Sequence, residues 1–119
     1  MAKPNLNVDV RSINATTSLL ELKGELYGFA ESTLMDAFAA VTDQGARTII
    51  LDFNDVSFMS SSGIGLLITM LIRANRQGQR IFAIGLNEHY RNIFTLIRLD
   101  QSIPVFATEE EALRELVSS

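Results

Sequence analysis

The sequence predicts a single α/β domain on a mixed β-sheet, with elements in the order β-β-α-β-α-β-α-β-α. Two observations carry this. Apolar residues alternate with period two in some stretches and recur every three or four residues in others, and after an initial strand pair the two kinds of stretch take turns. The 119 residues contain no repeat, low-complexity segment or internal linker, and 47% apolar with 20% charged content suits one core for a domain of residues 1–119.

The segment Leu6–Val10 alternates, as a half-buried strand does, and Ser18–Leu26 follows with Leu20 and Leu22 on one face. The short Asn14–Thr17 link between them favours an antiparallel hairpin. From Ala30 the period changes: Leu34, Phe38 and Val41 fall at helical spacing, and Gly45 is placed to end that helix. Arg47–Phe53 is a short apolar run, a central strand by pattern, and Ile81–Ile84 is another. Between them Gly63–Gly78 reads as a helix. In it Ile64, Leu67, Ile68 and Leu71 form the expected sheet-facing side, while Leu66, Met70 and Arg73 point elsewhere with Ser62 and Thr69 between. Asn87 can cap the next helix, whose Tyr90, Phe94 and Ile97 share a face. A short strand, Ile103–Phe106, precedes a last helix with a capping box of Thr108 and Glu111 and acid in its first turn. Helices joining such short strands imply right-handed parallel crossovers.

Composition narrows the function. A net charge of -4 argues against nucleic-acid binding through a basic surface, and equally against anionic membranes. The longest apolar run, Ile64–Ile72, falls far short of the ~20 residues that span a bilayer, and the N-terminus has no apolar stretch of signal-peptide length. No membrane insertion is expected. The absence of cysteine excludes disulfides and thiol chemistry and is compatible with the cytoplasm.

Catalysis lacks its parts. A serine nucleophile needs a base beside it, but His89 is the only histidine, and no G-x-S-x-G surrounds the serines. The glycines at Gly63 and Gly65 lack the third of a dinucleotide fingerprint, and no Walker motif exists. Asp52 and Asp55 read as turn formers or cap partners, and Glu109–Glu111 as a dipole-matched helix start, rather than as cation ligands. The expectation is a protein that is not an enzyme and carries no cofactor or metal.

One segment stands out: Ser60, Ser61 and Ser62 lie between a hydrophobic run and Gly63. Serine is a preferred N-cap because its oxygen accepts from an orphan helix N–H, and one of the three should do this. The stretch Ile49–Ile68 resembles the signature loop of the STAS domain, the fold of bacterial anti-sigma factor antagonists: a hydrophobic strand, an Asp-Ser-Ser-Gly or Asp-Ser-Thr-Gly loop, then a Gly- and Leu-rich helix. The segment Leu22–Gly28 resembles that family's Gly-Glu-Leu-Asp segment, and Thr108–Leu113 its acidic final helix start. On this resemblance Ser61 takes the place of the phosphorylated serine, Ser62 the second hydroxyl residue and Gly63 the glycine. Three departures accompany it: Ser60 and Tyr27 stand where the family usually has aspartate, and Arg98 where many relatives have glycine.

The resemblance implies a regulatory binding protein. Unphosphorylated, it would bind a serine-kinase-like anti-sigma factor; phosphorylation of Ser61 would release it, a serine phosphatase would reset it, and ATP would belong to the kinase. Ser62 is placed to cap or enter the helix, and Ser61 to lie where helix N–H groups stabilise a phosphate. Candidate partner-binding residues are Ser60, Ser62, Gly63, Leu66, Met70 and Arg73, although Leu66 and Met70 would serve equally as packing against a neighbouring helix. The alternative is a non-phosphorylated STAS-type interaction subunit of a transport or other signalling complex.

Overall fold

The computed structural model describes residues 5–118; 1–4 and 119, the ends of the expected domain and the start of the N-terminal stretch read for a signal peptide, lie outside the described residues. Five strands form one sheet in chain order: β1 (Leu6–Asn14), β2 (Thr17–Leu26), β3 (Thr48–Met59), β4 (Arg80–Ile84) and β5 (Val105–Phe106). β1 runs antiparallel to β2 and every other pairing is parallel. The helices are α1 (Glu31–Asp43), α2 (Ser61–Arg76), α3 (Glu88–Leu96) and α4 (Glu109–Ser118).

Sequential strand order explains the layering. Right-handed crossovers that always step in one direction leave their helices on one face of the sheet. The larger core accordingly joins Leu34 and Phe38 of α1, Leu67 and Met70 of α2 and Tyr90 and Phe94 of α3 to Leu20, Leu22, Ile49, Leu51, Ile81 and Ala83 of the strands. The opposite face carries Leu19, Ile50, Phe82 and Ile84, which α4 covers with Ala112, Leu113 and Leu116. Central strands buried on both faces must be apolar without alternation, as Ile49–Leu51 is.

β3 is longer than expected. It runs on to Met59 because β2 continues to Leu26 and pairs with it through two register shifts, one between Glu21 and Lys23 and one between Gly24 and Glu25. Such shifts break the period-two pattern by which a strand is recognised. Asp52 and Asp55 therefore sit inside a strand rather than at its end, and Asp52 Oδ1 accepts from the Asn54 backbone N–H at 2.9 Å and from its amide at 2.8 Å.

Ile97 corrects a second expectation. Tyr90 and Phe94 are buried, but Ile97 is 50% exposed, because α3 stops at Leu96 and the chain reverses at Arg98. Arg98 adopts a left-handed conformation, φ 61°, which a side chain occupies only at a cost. The position keeps the geometry that suits glycine with an arginine in it.

Candidate functional site

The serine loop sits where β3 hands over to α2. Ser60 is extended (φ -81°, ψ 168°) and is the N-cap: its Oγ accepts from the Gly63 N–H at 3.0 Å, and its carbonyl accepts from Ile64 N–H at 2.9 Å, the first bond of the helix. Its own N–H donates to the Leu26 carbonyl at 3.0 Å. Gly63 makes this approach possible, since a Cβ there would collide with the Leu26 carbonyl oxygen. The helix start is pinned to the end of β2.

Ser62 reaches a different neighbour. Its Oγ accepts from the Gly28 N–H at 3.2 Å and lies 3.0 Å from Ser60 Oγ. These contacts let the hydroxyls act in series: Gly28 N–H donates to Ser62, Ser62 donates to Ser60, and Ser60 donates to the Leu26 carbonyl at 3.5 Å. Ser61, the first residue of α2, is exposed, and among the described residues its hydroxyl has no hydrogen-bond partner. Three adjacent serines are thereby divided into two structural hydroxyls and one free one.

The surrounding field is open to an anion. The first turn of α2 holds no acidic residue, and the positive end of the helix dipole points at Ser61. Ser60 and Tyr27 add no negative charge beside the loop. Tyr27 donates its phenol to Glu25 at 3.3 Å; desolvation first, then the charge and hydrogen bond of Glu25, hold that phenol above its usual range.

The faces of α2 differ from expectation. Leu66 (8% exposed) and Met70 (0%) belong to the core with Gly63, Leu67 and Ala74, whereas Ile68 and Ile72 are exposed. Apolar residues at Ile64, Leu66, Leu67 and Ile68 surround its first turns, so apolar spacing alone does not orient it. Gly63 contributes the orientation, because its missing Cβ lets the backbone come up against the Leu26 carbonyl, and Ala74 is buried on the same side. Leu66 and Met70, expected as candidate partner contacts, thus have little or no surface to present. Arg73 is exposed. At 100° per residue, Ser61, Gly65, Ile68 and Ile72 fall within a narrow stripe opposite the buried face. Apolar spacing hides that stripe, because it assigns Ile68 to the core.

Three aromatic rings adjoin the loop, and nothing in the sequence pattern marks Phe29 or Phe58 as a site residue. Tyr27 stacks on Phe29 at 5.1 Å between centroids and meets Phe58 at 5.4 Å. Their one legible signal is large apolar side chains flanking a loop, with no buried element to receive them. Behind the loop Tyr90 Oη accepts from the Met59 N–H at 2.8 Å, and the cavity between Tyr90, Asn54 and Asn87 measures about 60 Å³, too small for an organic substrate. His89 is exposed, with its ring against Tyr90. Among the described residues no cluster of histidine and carboxylates could hold a metal, and no helix is long and apolar enough to cross a membrane.

The chain resembles known proteins over nearly its whole length. It is 27% identical over 106 residues to the anti-sigma-B factor antagonist of Bacillus subtilis (strain 168), covering 89% of this chain and 95% of that one. Its fold matches the anti-sigma factor antagonist SpoIIAA in its unphosphorylated form (TM-score 0.74, 24% identity, 94% of this chain, 99% of the other). It also matches the Bacillus cell fate determinant SpoIIAA in its phosphorylated form (TM-score 0.72, 26% identity, 92% and 98%). The murine anion transporter Slc26a9 contains the same fold (TM-score 0.77, 16% identity, 98% of this chain, 23% of the other). The profile of the STAS domain matches residues 7–112. With that match over a mixed five-stranded sheet and a serine loop opening α2, this chain belongs to the STAS domain family.

Proposed function

We propose that this chain is a regulatory protein-binding domain, an anti-sigma factor antagonist that binds a serine-kinase-like anti-sigma factor in the cytoplasm and is switched by phosphorylation of Ser61. The observation that carries this is the free hydroxyl of Ser61 between two engaged ones. A kinase needs an exposed hydroxyl whose modification leaves the fold intact. Phosphate on Ser60 would remove the cap, and phosphate on Ser62 would break the link to Gly28. On Ser61 it would meet helix N–H groups and the positive dipole end.

The exposed stripe of α2 supplies the docking surface, with Ser61 at its head and Ile68 and Ile72 along it. Phosphorylation places ~1.5 to 2 negative charges at that contact, and each ~1.4 kcal/mol of resulting mismatch weakens binding tenfold. A serine phosphatase restores the unmodified state. The chain itself needs no cofactor; ATP is the kinase's substrate.

Mass spectrometry after incubation with ATP and the cognate kinase tests the switch. Phosphate should appear on Ser61 alone, Ser61→Ala should abolish it, and Ser61→Asp should weaken the complex. Phosphate on Ser60 or Ser62 overturns the assignment. The docking face is tested separately: Ile68→Asp and Ile72→Asp should weaken binding with little change in melting temperature, whereas Met70→Asp should unfold the domain. A second reading, a STAS-type interaction subunit of a transport complex without phosphorylation, draws on the neutral Ser60 and Tyr27. Absence of phosphate under saturating kinase would select it.

A further inference from the structure

The aromatic cluster beside the serine loop lies on exposed surface. Phe29 is 69% and Phe58 41% exposed, and both lie against the half-buried ring of Tyr27. Exposed single apolar residues are ordinary, but three rings in contact are a patch. Glu25 borders it twice: its carboxylate accepts from the Tyr27 phenol, and it is the β2 residue opposite Phe58 on β3. Glu31 follows two residues after Phe29, at the start of α1. Among the described residues neither carboxylate has a cationic partner, and Lys23, the nearest lysine in the chain, is taken by Asp9 at 3.4 Å.

Ring faces are negative and attract cations, and an adjacent carboxylate adds a directed acceptor. The domain already uses the same chemistry internally, where Arg80 lies over Phe82 at 5.4 Å. We propose that Tyr27, Phe29, Phe58 and Glu25 form a platform that receives an arginine side chain of the protein partner. The guanidinium is planar and weakly hydrated, so it stacks on a ring while its N–H groups reach a carboxylate, which an ammonium does less well. Charge complementarity supports this occupant: the platform is rimmed by acid on a chain of net charge -4.

The platform is continuous with the serine loop but not identical with the switch. Gly28, between Tyr27 and Phe29, is held by Ser62, whereas Ser61 lies ~100° around the helix and heads the Ile68 stripe. The arginine and the segment that covers Ser61 are thus different parts of the partner. The proposal rests on the reading that this end of the domain meets a protein, and it names the chemistry which that partner must present there.

The test is a titration of the intact, 15N-labelled protein, followed by NMR at low salt, with the peptide acetyl-Gly-Arg-Gly-amide and with its neutral citrulline counterpart. The arginine peptide should shift the amides of Tyr27, Gly28, Phe29 and Phe58 progressively, and the citrulline peptide should not. Phe29→Ala and Glu25→Gln should each weaken the arginine response about two- to fivefold. Both residues are partly or largely exposed, and an unchanged spectrum elsewhere shows that the variants are folded. Equal responses to the two peptides, or shifts that survive both substitutions, overturn the platform. So does a flat titration, and it leaves the Ser61 switch standing, since phosphorylation is read by mass. A failed phosphorylation beside a specific arginine response removes the switch and keeps the platform.

Discussion

The backbone N–H of Gly28 donates to Ser62 Oγ at 3.2 Å, joining the turn after β2 to the first turn of α2, 34 residues later in the chain. A Cβ on Gly28 would lie 2.9 Å from that same oxygen. The serine loop is thus held from two sides, by Ser62 on Gly28 and by Ser60 on Leu26.

The division of labour among the serines should be visible in stability. Ser60→Ala removes the acceptor for the Gly63 N–H and should cost about 1 kcal/mol, in the usual range for a lost N-cap. Ser61→Ala removes no hydrogen bond and should stay within ~0.5 kcal/mol of the parent. Urea denaturation of the two variants checks the difference.

Two glycines on α2 should respond in opposite directions to alanine. A methyl on Gly65 would have nothing within 4 Å, so Gly65→Ala should stabilise by up to ~1 kcal/mol through helix propensity. At Gly63 the same methyl meets the Leu26 carbonyl, and the gain should be outweighed by a loss of roughly 2–4 kcal/mol as helix and strand move apart. Thermal melts of the pair would show whether this close approach is required.

Arg98 is the one described non-glycine residue with positive φ. It is locked there by Arg98 N–H donating to Thr95 and by the Arg98 carbonyl accepting from Gln101. Arg98→Gly should relieve the left-handed penalty, partly offset by the added freedom of the unfolded chain, for a net gain of about 0.5–1 kcal/mol. A denaturation midpoint below the parent would show that the arginine side chain makes a compensating contribution.

Arg11 on β1 holds Glu109 at the start of α4 through both carboxylate oxygens, at 3.1 and 2.5 Å. The hydrogen bond to Arg11 first, and its charge in addition, lower the Glu109 pKa against the opposing effect of desolvation. A carboxylate with a lowered folded-state pKa contributes its stability above the ordinary carboxylate range and loses it as pH falls through the folded value. Because both side chains are partly exposed, Glu109→Gln should cost only about 0.5–1 kcal/mol at neutral pH. Melts in acid should show parent and variant converging, and added salt should narrow the neutral gap.

Much of the architecture is legible in the chain. Element type and order follow from periodicity, and the caps at Asn87 and Thr108 and the stop at Gly45 depend on residues within four of one another. Such local signals survive without knowledge of the fold. The most specific part of the resemblance to the STAS family is likewise one contiguous segment, Ile49–Ile68, and so Ser61 can be singled out from sequence.

Other features depend on partners far away in the chain. The length of β3 is decided by β2, whose bulged pairing carries it past Phe53 to Met59. Which side of α2 is buried is decided by the sheet, through the contact of Gly63 with Leu26, because apolar residues at Ile64, Leu66, Leu67 and Ile68 surround its first turns and allow more than one apolar face to be drawn. Leu66 and Met70 go inward and Ile68 and Ile72 outward for that reason. The roles of the serines are divided the same way: residue type alone requires that one should cap α2, but only the placement of Leu26 and Gly28 engages Ser60 and Ser62 and leaves Ser61 free. Local chemistry sets what these residues can do, and contacts across 34 residues of chain set which of them does it.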